Sequence, residues 1–451
     1  MSHYAAYQAY KPSNVAWLGD IPEHWDVWKV THGFNKIGSG TTPKSDNPIF
    51  YDGDVPWVTT AELRETIIAD TAQKVTKEAI ASYSALKIYP KGSLAIAMYG
   101  ATIGRLGMLG VDATFNQACC VFSEPEVFDT RFVYYWLWMR RPILISLSNG
   151  GGQPNLSQDD LKKLWIPIPS IPEQQAIARF LDFKTAQIDA LIAKKKVLLD
   201  KLTEKRTALI SHAVTKGLDP SVAMKDSGVA WLGDIPVHWE PIRLRFCMKT
   251  NPSKGEIKLN DDELVSFIPM EAVGEFGGLN LDAERELGEI GGGYTYFADN
   301  DVVVAKITPC FENGKGAIAR GLKNGMAFGT TELHVMRSGD TLLSDYLFHL
   351  TMSNPFRCIG ESEMYGAGGQ KRVPETFLKD FRIGLPPANE QQDIIGYINK
   401  VNRKIDLQMS KATDVIGRLT EYRSALITNA VTGKIDVRGF AGPQLAEGIA
   451  S

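Results

Sequence analysis

The feature that most limits how this chain can fold is an internal repeat. Val15-Ala16-Trp17-Leu18-Gly19-Asp20-Ile21-Pro22-Glu23-His24-Trp25 returns as Val229-Ala230-Trp231-Leu232-Gly233-Asp234-Ile235-Pro236-Val237-His238-Trp239, with ten of eleven residues identical at an offset of 214. A second block, 173–215, returns at 390–432 with 17 identities in 43 positions and an offset of 217. The chain is therefore two copies of one unit joined head to tail, each a globule followed by a long helix, and 451 residues are too many for one ordinary domain. Between the matched ends the copies diverge, leaving echoes. Gly151-Gly152-Gln153 matches Gly368-Gly369-Gln370, the apolar run 93–98 parallels 302–307, and Asn116-Gln117 sits where Thr330-Thr331 sits. One frame carrying two different bodies suits a protein that reads two different things with one geometry.

Residues 173–213 contain neither Pro nor Gly and carry a seven-residue apolar rhythm. Leu181, Ile188, Leu202 and Leu209 share one heptad position, interrupted by Lys195, with Leu191, Ile192, Leu198 and Leu199 beside them. The second copy repeats the pattern with Ile398, Ile405, Ala412, Leu419 and Leu426, flanked by Val401, Met409, Val415 and Ile416. This period predicts two long helices that pack on each other as a coiled coil. Pro172 before the first helix and Gly217 after it fit the start and stop preferences. Each helix is a rod of roughly 60 Å at about 1.5 Å per residue. If the units are related by a pseudo-twofold axis, the helices run antiparallel and fix the spacing of the globules. Helices that merely tie two domains together or dimerise would show the same periodicity.

Composition narrows the function classes. No apolar stretch approaches the ~18 residues of a membrane helix, and no secretory signal is visible at Met1-Ser2-His3-Tyr4. The five cysteines (Cys119, Cys120, Cys247, Cys310, Cys358) form no Cys-x-x-Cys pair, so buried, reduced thiols in the cytoplasm are expected rather than a zinc site or disulfides. The net charge is −3. Basic and acidic residues balance over 26–167, and acidic ones are in excess over 240–385. A nucleic-acid binder with this balance concentrates its positive charge locally or shares the phosphates with a partner.

Several motifs suggest catalysis and do not sustain it. Asp46-Asn47-Pro48-Ile49-Phe50 and Ser353-Asn354-Pro355-Phe356 resemble the loop with which amino-methyltransferases hold a flipped base, but both lack its second proline. Asn313-Gly314-Lys315-Gly316 lacks the rest of a phosphate-binding loop. The seven histidines are dispersed, and no catalytic triad, metal cluster or nuclease carboxylate set stands out.

Polar, glycine-rich loops recur at matching places instead. The first copy has 38–44, 99–105 and 150–155, and the second has 308–315 and 366–372. Glycine lets a backbone approach a ligand, Gln and Asn can pair with adenine, and Arg and Lys can reach guanine or phosphate. The candidate DNA-contacting residues are Ser39, Thr41, Thr42, Lys44, Tyr99, Thr102, Arg105, Gln153 and Asn155 in the first copy. In the second they are Lys306, Thr308, Asn313, Lys315, Gln370, Lys371 and Arg372.

At this point the residues resemble a known family. The opening Gly-Val-Ala-Trp-Leu-Gly-Asp-Ile-Pro-x-His-Trp of 228–239, Ile171-Pro172-Glu173-Gln174-Gln175 leading into a long helix, and the ending Arg206-x-Ala208-Leu209-Ile210-x-x-Ala213-Val214-Thr215 are similar to the specificity subunits of Type I restriction-modification enzymes. The resemblance covers residues 10–439, nearly the whole chain. It implies an α+β fold: two pseudo-twofold-related mixed α/β target-recognition domains joined by two long helices that form an antiparallel coiled coil. The implied division is an N-terminal repeat segment at 1–25, recognition domains at 26–167 and 240–385, helical regions at 168–216 and 386–433, a linker with the second repeat at 217–239, and a tail at 434–451. It also implies a non-catalytic, cytoplasmic reader of a split, asymmetric double-stranded DNA target. Two modification subunits carrying S-adenosylmethionine would dock on it, joined by restriction subunits that use ATP and Mg. Lys194-Lys195-Lys196 would face DNA or the modification subunits.

Overall fold

Leu94–Ala97 and Val302–Ala305 are the strands around which the two halves of the chain are built, and every residue in both is buried. The parity of the strand explains why. Leu94 and Ile96 face one apolar cluster with Phe122, Phe132 and Trp136, while Ala95 and Ala97 face another with Val58, Phe115 and Val121. Likewise Val302 and Val304 join Tyr346, Leu347 and Phe356, and Val303 and Ala305 join Ile268, Phe297 and Val335. A strand covered on both faces reads as a continuous apolar run instead of an alternation. These features come from a computed structural model that describes residues 4–146, 155–256, 259–290, 292–367 and 369–440.

The chain divides into two units, one of residues 1–194 and 414–451, the other of residues 195–413. Each repeats one topology. In the first unit the central sheet runs Phe34–Gly38, Cys119–Pro125, Leu94–Ala97, Leu106–Leu109, Thr66–Ile68. In the second it runs Met248–Thr250, Leu333–Ser338, Val302–Ala305, Gly316–Ile318, the same order without the last strand. A second sheet in each has a parallel pair: Tyr51–Val58 with Thr114–Phe115, and Leu264–Ile268 with Met326–Gly329. Helix Thr130–Ser146 of the first unit corresponds to the pair Ser344–Thr351 and Asn354–Ser362 in the second.

The expected long helices are Ile171–Lys216 and Ala388–Val431. Pro172 lies in the first turn, where its missing N–H costs nothing. Gly217, at φ +76°, closes the first helix and Gly433, at φ +70°, follows the second, a backbone conformation that other residues rarely adopt. Each unit contains the first part of one helix and the last part of the other, packed antiparallel. In the first unit Ile188 and Ile192 meet Leu419, Leu426 and Ile427. In the second Ile210, Ala213 and Val214 meet Ile394 and Ile398. Matching ion pairs lie on these seams, Asp189 with Arg423 and Asp406 with Arg206, related by the sequence offset of 217. The guanidiniums lie 5.2 Å from the ring of Trp138 and 5.6 Å from that of Phe276.

The seam differs from expectation at several places. Leu191, Leu198 and Val415 are exposed, and Leu209 is only half-buried. The helix turns 3.6 residues at a time, so a second row of contacts falls four residues after each heptad position, at Thr185, Ile192, Leu199, Arg206 and Ala213. Near the end of the first helix the globule's core draws in Ile210 and Val214, turning Leu209 aside. Cys358 is exposed and Cys310 half-exposed, so only three of the five thiols are buried as expected.

The repeated motifs explain themselves as joints. Glu173 is buried and accepts from Tyr7 Oη (2.8 Å), Trp25 Nε1 (3.1 Å) and His24 Nε2 (2.9 Å). Glu390 does the same for Trp239 Nε1 (2.9 Å) and His238 Nε2 (2.7 Å). The side-chain amide of Gln174 is saturated by Asp129 N–H (2.7 Å) and the carbonyls of Val127 and Pro169 (2.9 Å each), and Gln391 makes the equivalent bonds with Leu343, Thr341 and Pro386. Buried polar groups need partners, and both copies keep the same ones.

His349 gives a pH dependence to the second unit. It is buried in helix Ser344–Thr351, and desolvation lowers its pKa from the usual 6.5 to about 4, with Asp345 and Asn399 acting in the opposite sense. The folded state therefore holds a neutral ring while the unfolded chain binds a proton below pH 6.5. Stability is full above that pH and falls as pH drops toward 4, by about 2 kcal/mol between pH 7.5 and pH 5. Denaturant unfolding of wild type and His349→Gln at both pH values checks this; the variant should lose distinctly less on acidification.

Candidate nucleic-acid interface

Where the central strand of each unit ends, its sequence-predicted loops come together. In the first unit Tyr99 pairs through its backbone with Asn155, and Leu156 N–H donates to Met98 O (2.9 Å). The Tyr99 hydroxyl donates to Gln117 O (3.2 Å), and Thr42 Oγ1 donates to Gln117 Oε1 (2.6 Å). Thr102 Oγ1 donates to Tyr99 O (3.4 Å). Gly40 explains the close approach of the 38–44 loop: a Cβ there would stand 1.6 Å from Phe115 O. Thr41 N–H donates to that carbonyl (3.0 Å), and Trp57 Nε1 donates to Thr41 O (3.2 Å).

Ser39, Thr41, Thr42, Tyr99, Thr102 and Asn155 therefore belong to one edge, with Gln117 among them. Lys44 and Arg105 stand at its margins. Lys44 is exposed beside Tyr83, whose hydroxyl accepts its N–H (3.1 Å), and Arg105 is half-buried at the start of strand Leu106–Leu109. Gln153 lies outside the described residues. Beside the edge, Thr42, Asp46, Tyr51, Trp57 and Gln73 line an open groove of about 590 Å³.

The second unit builds the same edge from different side chains. Thr308 and Lys371 are joined by Thr308 N–H to Lys371 O (3.0 Å) and Lys371 N–H to Thr308 Oγ1 (2.9 Å). Lys306 follows the central strand, and Val373 N–H donates to its carbonyl (2.8 Å). Arg372 clasps Glu332 through Nε (2.9 Å) and Nη2 (2.8 Å), and this pairing holds the Glu332 carboxyl below its ordinary pKa. Lys315 Nζ donates to Met270 O (3.0 Å), and Thr330, Thr331, Met270 and Tyr294 line a groove of about 560 Å³. Asn313, Gln370 and Lys371 are exposed.

Two of the named cations are thus engaged in the fold. Arg372 is committed to a carboxylate and Lys315 to a carbonyl, which leaves Lys306, half-buried, and Lys371, exposed. Sequence reading passed over Glu332, although it directly follows the Thr330-Thr331 pair aligned with Asn116-Gln117. It also missed Arg357, half-buried, which donates to Phe311 O (2.7 Å), lies 4.7 Å from that ring, and has its pKa lowered to about 9 by desolvation, against the opposing charge of Glu312.

The motifs resembling a methyltransferase loop are local caps. Asn47 Oδ1 accepts from Ile49 N–H (3.2 Å), and Asn354-Pro355 opens a helix. Among the described residues no group of three or more His, Cys, Asp and Glu side chains is placed to hold a metal ion.

Residues 22–201 match the family described as the Type I restriction modification DNA specificity domain. Over these residues the chain is similar to the specificity subunits of Type I restriction enzymes. Over 239 residues it is 35% identical to the Type I restriction enzyme EcoEI specificity subunit of Escherichia coli, a match that covers 52% of this chain and 39% of that protein. It is 21% identical to the MjaVIII specificity subunit of Methanocaldococcus jannaschii over 96% of this chain and 98% of that one. A chain solved in work on the assembly and conformational transition of the type I R-M system has the same fold, with a TM-score of 0.65 at 13% identity over 92% of this chain and 99% of that one.

Proposed function

We propose that this chain is the non-catalytic DNA-recognition subunit of a Type I restriction-modification complex. Each unit reads one half of a split, asymmetric target in double-stranded DNA, and its reading edge is the loop cluster at the end of the central strand. The long helices, which contribute to both units, set the unread gap and dock two modification subunits. Restriction subunits complete the assembly. S-adenosylmethionine, ATP and Mg belong to those partners, and the complex works in the cytoplasm. Among the described residues no helix is long and apolar enough to cross a membrane.

One observation carries this reading. The two units share strand order and joint residues, yet at equivalent edge positions they present different side chains: Gln117 against Thr331, and Tyr99 against Ile307 or Thr308. Framework residues that match cannot distinguish two half-sites, whereas edge residues that differ can. The low net charge fits a subunit that shares phosphate contacts with its partners.

Mapping methylated adenines in DNA from cells that express this chain with its modification subunit tests the proposal. A motif in two parts separated by unspecified bases is expected. An unsplit motif, or no motif from a partner proven active, would overturn it.

A further inference from the structure

Tyr365 is 65% exposed, and its ring joins no aromatic pair among the described residues. A single exposed aromatic side chain is ordinary on a protein surface. This one differs in how firmly its backbone is held. Tyr365 N–H donates to Arg372 O (3.2 Å), and Arg372 N–H donates back to Tyr365 O (2.9 Å). Arg372 is in turn clasped by Glu332 and paired through its backbone with Ile307, at the end of the central strand. The preceding residue, Lys371, is bonded to Thr308 and carries an exposed ammonium. The ion pair, the backbone bridge and the strand end thus form a mount whose outward products are one phenol ring and one cation.

We propose that Tyr365 contacts the target DNA and contributes to its sequence choice, an inference that rests on the DNA-reading function above. A phenol ring offers an apolar face to a thymine methyl or an exposed base, and a hydroxyl to a neighbouring acceptor. Because its backbone is already fixed, little ordering entropy is lost on binding. Lys371 supplies the adjacent phosphate contact. Arg372 acts as a positioning residue, holding the hairpin while Glu332 keeps it from the DNA.

The test uses the full chain assembled with its modification subunit, and duplexes carrying either the motif mapped from methylated DNA or an unrelated sequence. Tyr365→Ala is expected to weaken binding to the motif about ten- to hundredfold, to leave binding to unrelated DNA unchanged, and to keep the salt slope of wild type. Lys371→Ala is expected to weaken both duplexes alike and reduce the salt slope by about one. Thermal unfolding of Tyr365→Ala should stay close to wild type, because the ring is exposed. Unchanged affinity of Tyr365→Ala for the motif, or an equal loss on both duplexes, overturns the inference while leaving the DNA-reading function intact. Failure of the wild-type complex to prefer any motif sinks the function itself.

Discussion

Glu173→Ala should destabilise the first unit by about 3–5 kcal/mol, and Glu390→Ala should cost the second unit only about 1–3 kcal/mol. The two glutamates occupy the same place in the repeat, so the contrast isolates burial and donor count. Glu173 has 4% of its side chain exposed and serves three donors, from Tyr7, His24 and Trp25. Its loss strands the indole N–H of Trp25, which is fully buried, and the phenol of Tyr7 in an apolar cluster. Glu390 is 24% exposed and serves His238 and Trp239, so water can replace part of what is lost. Glu173→Gln keeps an acceptor for Trp25 and should fall between wild type and alanine. Denaturant unfolding followed by tryptophan fluorescence reads all three, and equal losses at Glu173 and Glu390 would contradict the argument.

The second large effect concerns the strand that leads to the proposed reading edge. Asp301 is 1% exposed and meets Arg337 in a bidentate pair, Nε to Oδ1 and Nη2 to Oδ2, both 2.7 Å. Its Oδ2 also accepts from Ala298 N–H (2.8 Å). The first unit solves the same place without charge: Ser93 and Ser123 stand opposite one another there, joined hydroxyl to hydroxyl at 3.0 Å. Removing one ion partner leaves the other unpaired against the core, whereas replacing both with neutral groups removes the problem. Asp301→Ser alone is expected to cost about 3–5 kcal/mol, and the double variant Asp301→Ser with Arg337→Ser distinctly less. Unfolding free energies of the four proteins in the cycle give the coupling; a double variant no better than the single one would refute it.

Much of the architecture could be read before any coordinates. The 214- and 217-residue offsets named two units and the heptads named both long helices, while the parallel apolar runs 93–98 and 302–307 marked equivalent buried places without saying that they are strands. These signals are local: a repeat, a period of 3.5 and an apolar run survive in one dimension. The glycine-rich loops were also found by their matching positions.

What one dimension could not supply was which members of those loops remain available. Lys315, Lys371 and Arg372 look alike as cations in sequence. Folding sends Lys315 to a carbonyl 45 residues away and Arg372 to a carboxylate 40 residues away, and leaves Lys371 exposed. Leu198 and Leu202 are alike as heptad leucines, yet only Leu202 is buried. Residue type and spacing follow from the chain itself, and with them the repeat and the long helices. Whether a polar group is spent on the fold or kept for a ligand depends on what long-range packing places within about 3 Å of it, and only the tertiary structure sets that distance.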